Sequence, residues 1–172
     1  MTKPYTTLRD LNARKLDVEK LLSFFGPDYP SRKPIYFIDV LDKLGLYYTL
    51  GAFESAPGYA STCVEFALKC EAQARCCLSA DDIRNDSWAF YWACKSHEAA
   101  REAPVDIGKA YSWGIKASQY AIKARSLAAY YERINAYKLP DSEQVSLVSN
   151  AKLTAEKEQV GFLRELLTSE GI

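Results

Sequence analysis

The chain has no excess of either charge. Its 172 residues include 22 Lys plus Arg and 22 Asp plus Glu. That balance argues against a surface built as a whole for nucleic acid or an anionic membrane, although it leaves room for a local basic face. No apolar run approaches the ~20 residues that span a bilayer. The opening Met1-Thr2-Lys3-Pro4-Tyr5 holds no apolar signal core. These absences point to a soluble, cytoplasmic protein with no membrane partner.

The vocabulary of catalysis is equally thin. His97 is the sole histidine, so every histidine-dependent mechanism rests on one residue. Gly-x-Ser-x-Gly and Gly-x-x-x-x-Gly-Lys are missing, the glycines are scattered, and there is no pair of Glu-x-x-His motifs to build a di-metal centre. Cys94 stands three residues before His97, a spacing at which side chains on a helix can touch. Yet no orienting third group or oxyanion donor accompanies them. Cys94 and His97 with Cys70 and Cys76 or Cys77 could supply four zinc ligands, but no Cys-x-x-Cys is present. The sequence therefore implies no enzyme activity and no cofactor or metal. The acidic residues Asp81, Asp82 and Asp86 fall in the first turns of a helix, where the helix dipole accounts for them.

What the chain does have is small residues at helical period. One stripe runs Ala60, Cys63, Ala67, Cys70, Ala74, Cys77. A second runs Ala89, Ala93, Ser96, Ala100, Ala103. A third runs Ala110, Gly114, Ala117, Ala121, Ala124, Ala128. Steps of three and four keep each stripe on one side of a helix. Small seams let helix axes approach toward the low end of the usual ~8–10 Å separation. Cysteine here is a small apolar residue standing in for alanine. The odd count of five cysteines, with four on one helix, suits a reducing compartment.

The rest of the chain is also helical in pattern. Helices are predicted over about 7–25, 35–44, 46–53, 57–78, 80–102, 105–137 and 141–168. Gly45 acts as a stop and Ser79 with Asp82 as a capping pair. Val145, Val148, Ala155, Phe162, Leu163 and Leu166 would form the core face of the last helix. No segment alternates convincingly at period two. The fold class is all-α: a single-domain bundle of six to seven helices over residues 1–172, with the three small-residue helices packed closely. The third stripe helix has a second apolar face, Tyr111, Ile115, Ile122 and Ala129, which places it at the centre. That second face would meet a terminal helix, a partner protein or a second copy of the chain.

Two features remain outside the seams. Trp88, Phe90, Tyr91 and Trp92 are denser than one helix needs. On a helical wheel Phe90 and Trp92 flank the seam, Tyr91 points away and Trp88 lies to the side. Core filling explains the first two; an exposed Trp and Tyr would suit an interface. Lys109, Lys116 and Lys123 recur every seven residues beside Tyr120, which reads as a solvated face or as a surface for an acidic protein or nucleic acid.

The segment Val40-Leu41-Asp42-Lys43-Leu44-Gly45-Leu46-Tyr47-Tyr48-Thr49-Leu50 resembles a Leu-Asp-x-x-Gly-Leu-x-x-x-Leu pattern of alanine-rich helical immunity proteins of phage and bacterial genomes. In that pattern the segment precedes a helix like Phe66-Ala67-Leu68-Lys69-Cys70-Glu71-Ala72-Gln73-Ala74-Arg75, and long Ala-rich helices follow. The likeness spans about 37–131, with Gly51 where the pattern has a bulky aromatic. It implies a non-catalytic protein that neutralises a toxin, nuclease or host effector. The leading expectation is thus a helical binding protein that occludes a protein partner, with Trp88, Tyr91, Lys109, Lys116, Tyr120 and Lys123 as candidate contacts. The alternative from another class is a nucleic-acid-associated accessory protein using the lysine row. A third is a small-molecule binder with a pocket between helices.

Overall fold

The computed structural model describes residues 5–13, 18–137 and 140–169. Among these residues lie nine α-helices: α1 (Leu8–Ala13), α2 (Val18–Phe25), α3 (Phe37–Leu44), α4 (Leu46–Ala52), α5 (Ala60–Cys76), α6 (Ala80–Arg84), α7 (Trp88–Val105), α8 (Ala110–Tyr137) and α9 (Asp141–Ser169). The all-α bundle expected from the sequence is the fold observed. No helix of the described residues is long and apolar enough to cross a membrane.

One predicted helix is divided. The predicted 7–25 segment holds α1 and α2, and residues 14–17 between them lie outside those described. The predicted 80–102 helix becomes α6 and α7. Its break is a double cap. Ser79 and Asp82 form a reciprocal capping box at the start of α6, and the Ser87 side chain accepts from the Phe90 N–H at the start of α7. Asp82 joins the two caps, because it also accepts from the Ser87 hydroxyl at 2.8 Å. Between them Asp86 takes a left-handed φ of 47°. N-caps of this kind contribute ~1 kcal/mol each, enough to favour two short-capped helices over one continuous rod.

Smaller departures have equally local causes. Ile35 and Tyr36, expected in a helix, instead pair antiparallel with Thr6 and Tyr5 as a two-residue ribbon (β1, Tyr5–Thr6; β2, Ile35–Tyr36). Pro104, expected beyond the helix end, lies in the last turn of α7. Its fixed φ is helical, and only the bond back to the residue 100 carbonyl is lost. The chain then makes a 3-10 turn, Ile107–Lys109, before α8 begins. Gly45 does end α3: it adopts φ 82°, open to glycine at no steric cost, and its N–H bonds the Leu41 carbonyl.

The three stripes form the inner seam. Cys63, Ala67, Cys70 and Ala74 of α5, Ala89, Ala93, Ser96, Ala100 and Ala103 of α7, and Ala110, Ala117, Ala121, Ala124 and Ala128 of α8 are all buried. α8 packs on both α5 and α7, which also pack on each other. At Gly114 the approach to α5 is closest: a Cβ there would stand 3.4 Å from the Cys63 carbonyl oxygen. Ser96 crosses the seam to donate to the Ala117 carbonyl at 3.0 Å. All five cysteines are free thiols. Burial pushes the Cys70 thiol strongly up and the half-buried Cys77 up to about 11, so neither is a thiolate at neutral pH.

The opposite face of α8 is covered within the chain by α9 and α4. Of the occupants expected for this face, a terminal helix is the one seen: Ile122 is buried and Tyr111 and Ile115 pack against the core. The α8–α9 contact is polar at its middle. Gln159 is fully buried; its amide accepts from the Ser118 hydroxyl at 2.6 Å and donates to Gln73 at 2.8 Å and to the Ser118 carbonyl at 3.2 Å. Gln73 donates onward to Glu158 at 2.8 Å, and Glu158 also accepts from Arg125. Burial alone would raise the Glu158 carboxyl, but donors from Arg125 and Gln73 outweigh it and hold its pKa below the ordinary glutamate value. Ala155, Leu163 and Leu166 face the core as expected; Val145 does not, at 68% exposed. The N-terminal part of the chain closes the bundle with Leu11, Leu21, Phe37, Val40 and Leu50, and with the Phe53 ring tilted against Phe37 at 4.5 Å between centroids.

Candidate interaction surface

The double cap at Ser79–Ser87 places Trp88 at the first residue of α7, where the helix is just beginning and little covers the ring. Trp88 is 61% exposed and Tyr91, one turn on, 42%. The two rings meet edge to face at 5.5 Å, and Tyr91 meets Trp92 in the same way at 5.1 Å. Trp92 is half-buried and stacks on Tyr120 of α8, with centroids 5.4 Å apart and planes 26° apart. Four rings from two helices thus form one ledge on the outer side of the α7–α8 pair. Its inner end is anchored in the core and its outer end is open to water.

Lysines interleave with the rings. Lys123 holds its ammonium 4.1 Å from the Trp92 centroid and 6.0 Å from that of Tyr120. Lys95 reaches over Tyr91 at 5.9 Å while paired with Glu98 at 2.6 Å, which raises its pKa. Lys116 lies 3.9 Å from the ring centroid of Trp113. Trp113, Lys116, Tyr120 and Lys123 follow steps of three, four and three along α8, which puts them on one stripe. Each such contact holds a cation where the ring quadrupole favours it.

Of the sequence candidates, Trp88, Tyr91, Tyr120 and Lys123 come together in the ledge, and Lys116 extends it by a turn. Lys109 is separate: it lies in the 3-10 turn and pairs with Asp106 at 3.1 Å. Ser126, one turn beyond Lys123, is buried and donates to the Ile122 carbonyl. Trp92, Trp113 and Lys95 were missed as members of the surface. The three-four-three spacing from Trp113 along α8 was the available signal for that residue; Trp92 and Lys95 lie on α7.

The alternative chemical centres do not assemble. Cys70 is buried in the seam, whereas Cys76 and Cys94 are exposed. Among the described residues no three potential metal ligands cluster. His97 lies 3.3 Å from the buried carboxylate of Glu71, which Arg75 also holds at 2.8 Å. Its role there is to help satisfy a buried charge.

A cavity of about 790 Å³ opens where α6, α7 and α8 meet and is lined by Trp88, Tyr131 and the carboxylates of Asp81, Asp82, Asp86 and Glu132. Asp82 is committed to the two caps: partial burial would raise its pKa, but the Ser79 and Ser87 donors outweigh it and leave it lowered. Set against family models, curated proteins and solved structures, the chain matches none, so no relative lends this surface a role.

Proposed function

We propose that this is a non-catalytic binding protein of the cytoplasm that occludes a surface of a protein partner through the α7–α8 ledge. The manner is that of an immunity protein or a phage-encoded inhibitor acting on a toxin, nuclease or host effector. The observation that carries the reading is the exposure of Trp88 and Tyr91 on a ledge whose other rings, Trp92 and Tyr120, are locked by stacking. Large aromatic side chains already held in place lose little entropy on binding, and such anchors dominate interface energies. The segment 41–50, similar to the immunity-protein pattern, supports the same class, and five free thiols suit a reducing compartment.

The test begins with a photo-crosslinking residue at position 88 in cells of origin, with position 153 on α9 as the control. The captured protein is then purified and titrated. Trp88→Ala with Tyr91→Ala should weaken binding by more than ~30-fold, the scale of a hot spot. Equal crosslinking at both positions, or unchanged affinity, would sink the proposal. So would turnover by the purified protein that is lost on changing His97 or Cys94.

The second reading, a nucleic-acid accessory protein, draws on the interleaving of Lys116 and Lys123 with Trp113, Tyr120 and Trp92. Against it, the stacked pairing of Trp92 with Tyr120 occupies a face that a base would need. It requires a strongly salt-dependent DNA or RNA complex that Lys116→Glu and Lys123→Glu weaken.

A further inference from the structure

Between α4, α8 and the first half of α9 lies a second cavity, of about 700 Å³. Its size is that of a small-molecule site. Ile122 and Leu127 of α8 and Val148 of α9 give it an apolar lining, and Tyr47 of α4 contributes its ring. The stem of Lys123 lines one wall and Lys152 the facing one. Among the described residues neither pairs with a carboxylate, not even with Glu156, the one acidic group in the lining. Burial pushes the Tyr47 hydroxyl pKa up, against a hydrogen bond with Ser118 that lowers it. An apolar interior with Lys152 on one wall and the stem of Lys123 on the other, whose ammonium can swing in from the Trp92 ring, suits an apolar body with a single anionic head such as a carboxylate. A neutral or cationic head on the same body would leave both lysines unmatched.

We propose that this cavity is a binding site for a small organic acid with an apolar tail, held by Lys123 and Lys152 at its carboxylate. The inference stands independently of partner binding at the ledge. The two regions nevertheless share Lys123, whose stem lines the cavity while its ammonium rests 4.1 Å from the Trp92 centroid. A carboxylate that draws this ammonium inward takes it off the indole and alters the emission of Trp92.

Octanoate, octanol and octylammonium carry one tail and three heads, and titration of the intact protein by calorimetry and tryptophan fluorescence separates them. Octanoate should bind saturably and change the fluorescence, and octanol should bind ~tenfold more weakly, the scale of a hydrogen bond to a charged group. Octylammonium should give no saturable binding. Lys152→Gln, at an exposed side chain, should bring octanoate down to the affinity of octanol, and Trp92→Phe should remove the optical change while calorimetric binding persists. Equal affinity for octanoate and octanol, tighter binding of octylammonium, or octanoate binding that survives both Lys123→Gln and Lys152→Gln would overturn the proposal. Vesicles of anionic phospholipid serve as the counter-probe: binding to them without a response to free octanoate would also overturn it. Circular dichroism of each variant establishes that loss of binding is not loss of fold.

Discussion

α8 has two buried faces held by different means. Toward α5 and α7 it presents Gly114, Ala117, Ala121 and Ala124, and Ser96 of α7 donates across to its Ala117 carbonyl. Toward α9 it presents Ser118, whose partner Gln159 is fully buried and tied to Gln73, with Glu158 and Arg125 at the edge. The first face depends chiefly on shape and fails when something larger is added. The second depends on matched polar groups and fails when one is taken away. A helix between two such faces has its distance set by one and its register set by the other.

The largest effect should come from overfilling the seam. Gly114→Leu drives a side chain into the α5 backbone near Cys63, where even a Cβ would stand 3.4 Å from the carbonyl oxygen. Loss of ~3 kcal/mol or more, measured by urea unfolding, is the expected result. A change smaller than ~1 kcal/mol would mean that the seam yields readily and that closeness is not what defines it.

Next in size is removal of one polar partner. Gln159→Leu leaves the Ser118 hydroxyl and the Gln73 carbonyl oxygen without their partner in a dry site, at a cost of ~2–4 kcal/mol. The double variant with Gln73→Leu should regain part of that loss, because Glu158 keeps Arg125. If the two losses simply add, the residues are not one network.

Acid offers a smaller test of the same face. Glu158 and Asp82 both have folded pKa values lowered from the ordinary 4.5 and 3.8. A lowered value means the folded state binds the proton less readily than the unfolded one. The stability these groups give is therefore present above the ordinary carboxylate range and lost as pH falls through it. Glu158→Gln should flatten part of that fall; Asp82→Asn should flatten another part and also weaken the start of α6. Identical acid limbs for wild type and Glu158→Gln would remove the carboxylate from the account of the α9 contact.

The same contrast explains how much was legible in the sequence. A seam is written in side-chain size, and size repeats at three and four, so all three stripes could be read from Ala, Cys and Gly alone. The polar layer is written in Ser118, Gln73 and Gln159, each of which on an isolated helix looks like solvated surface. Only the neighbouring helix makes it core. The division at Asn85–Ser87 was hidden because Asp82 and Ser87 could be identified as a paired cap only with their side chains in place. At the candidate site, Trp88 and Tyr91 stood out by falling off the seam. The stacking of Trp92 on Tyr120 joins two helices, and no pattern within either one announces it.

The smallest expected effect on stability is at the ledge. Trp88 is 61% exposed and touches chiefly Tyr91, so Trp88→Ala should move unfolding stability by no more than ~0.5 kcal/mol, the range of ordinary surface changes. Trp92→Ala, by contrast, removes a ring stacked on Tyr120 and covered by Lys123, and should cost ~3 kcal/mol or more. Chemical denaturation of the two variants in parallel compares rings only four residues apart. A large loss at Trp88 would make the ring part of the core and take away the reason for treating it as a partner's contact. A negligible loss leaves a large, rigidly presented indole whose position in water the fold itself does not require.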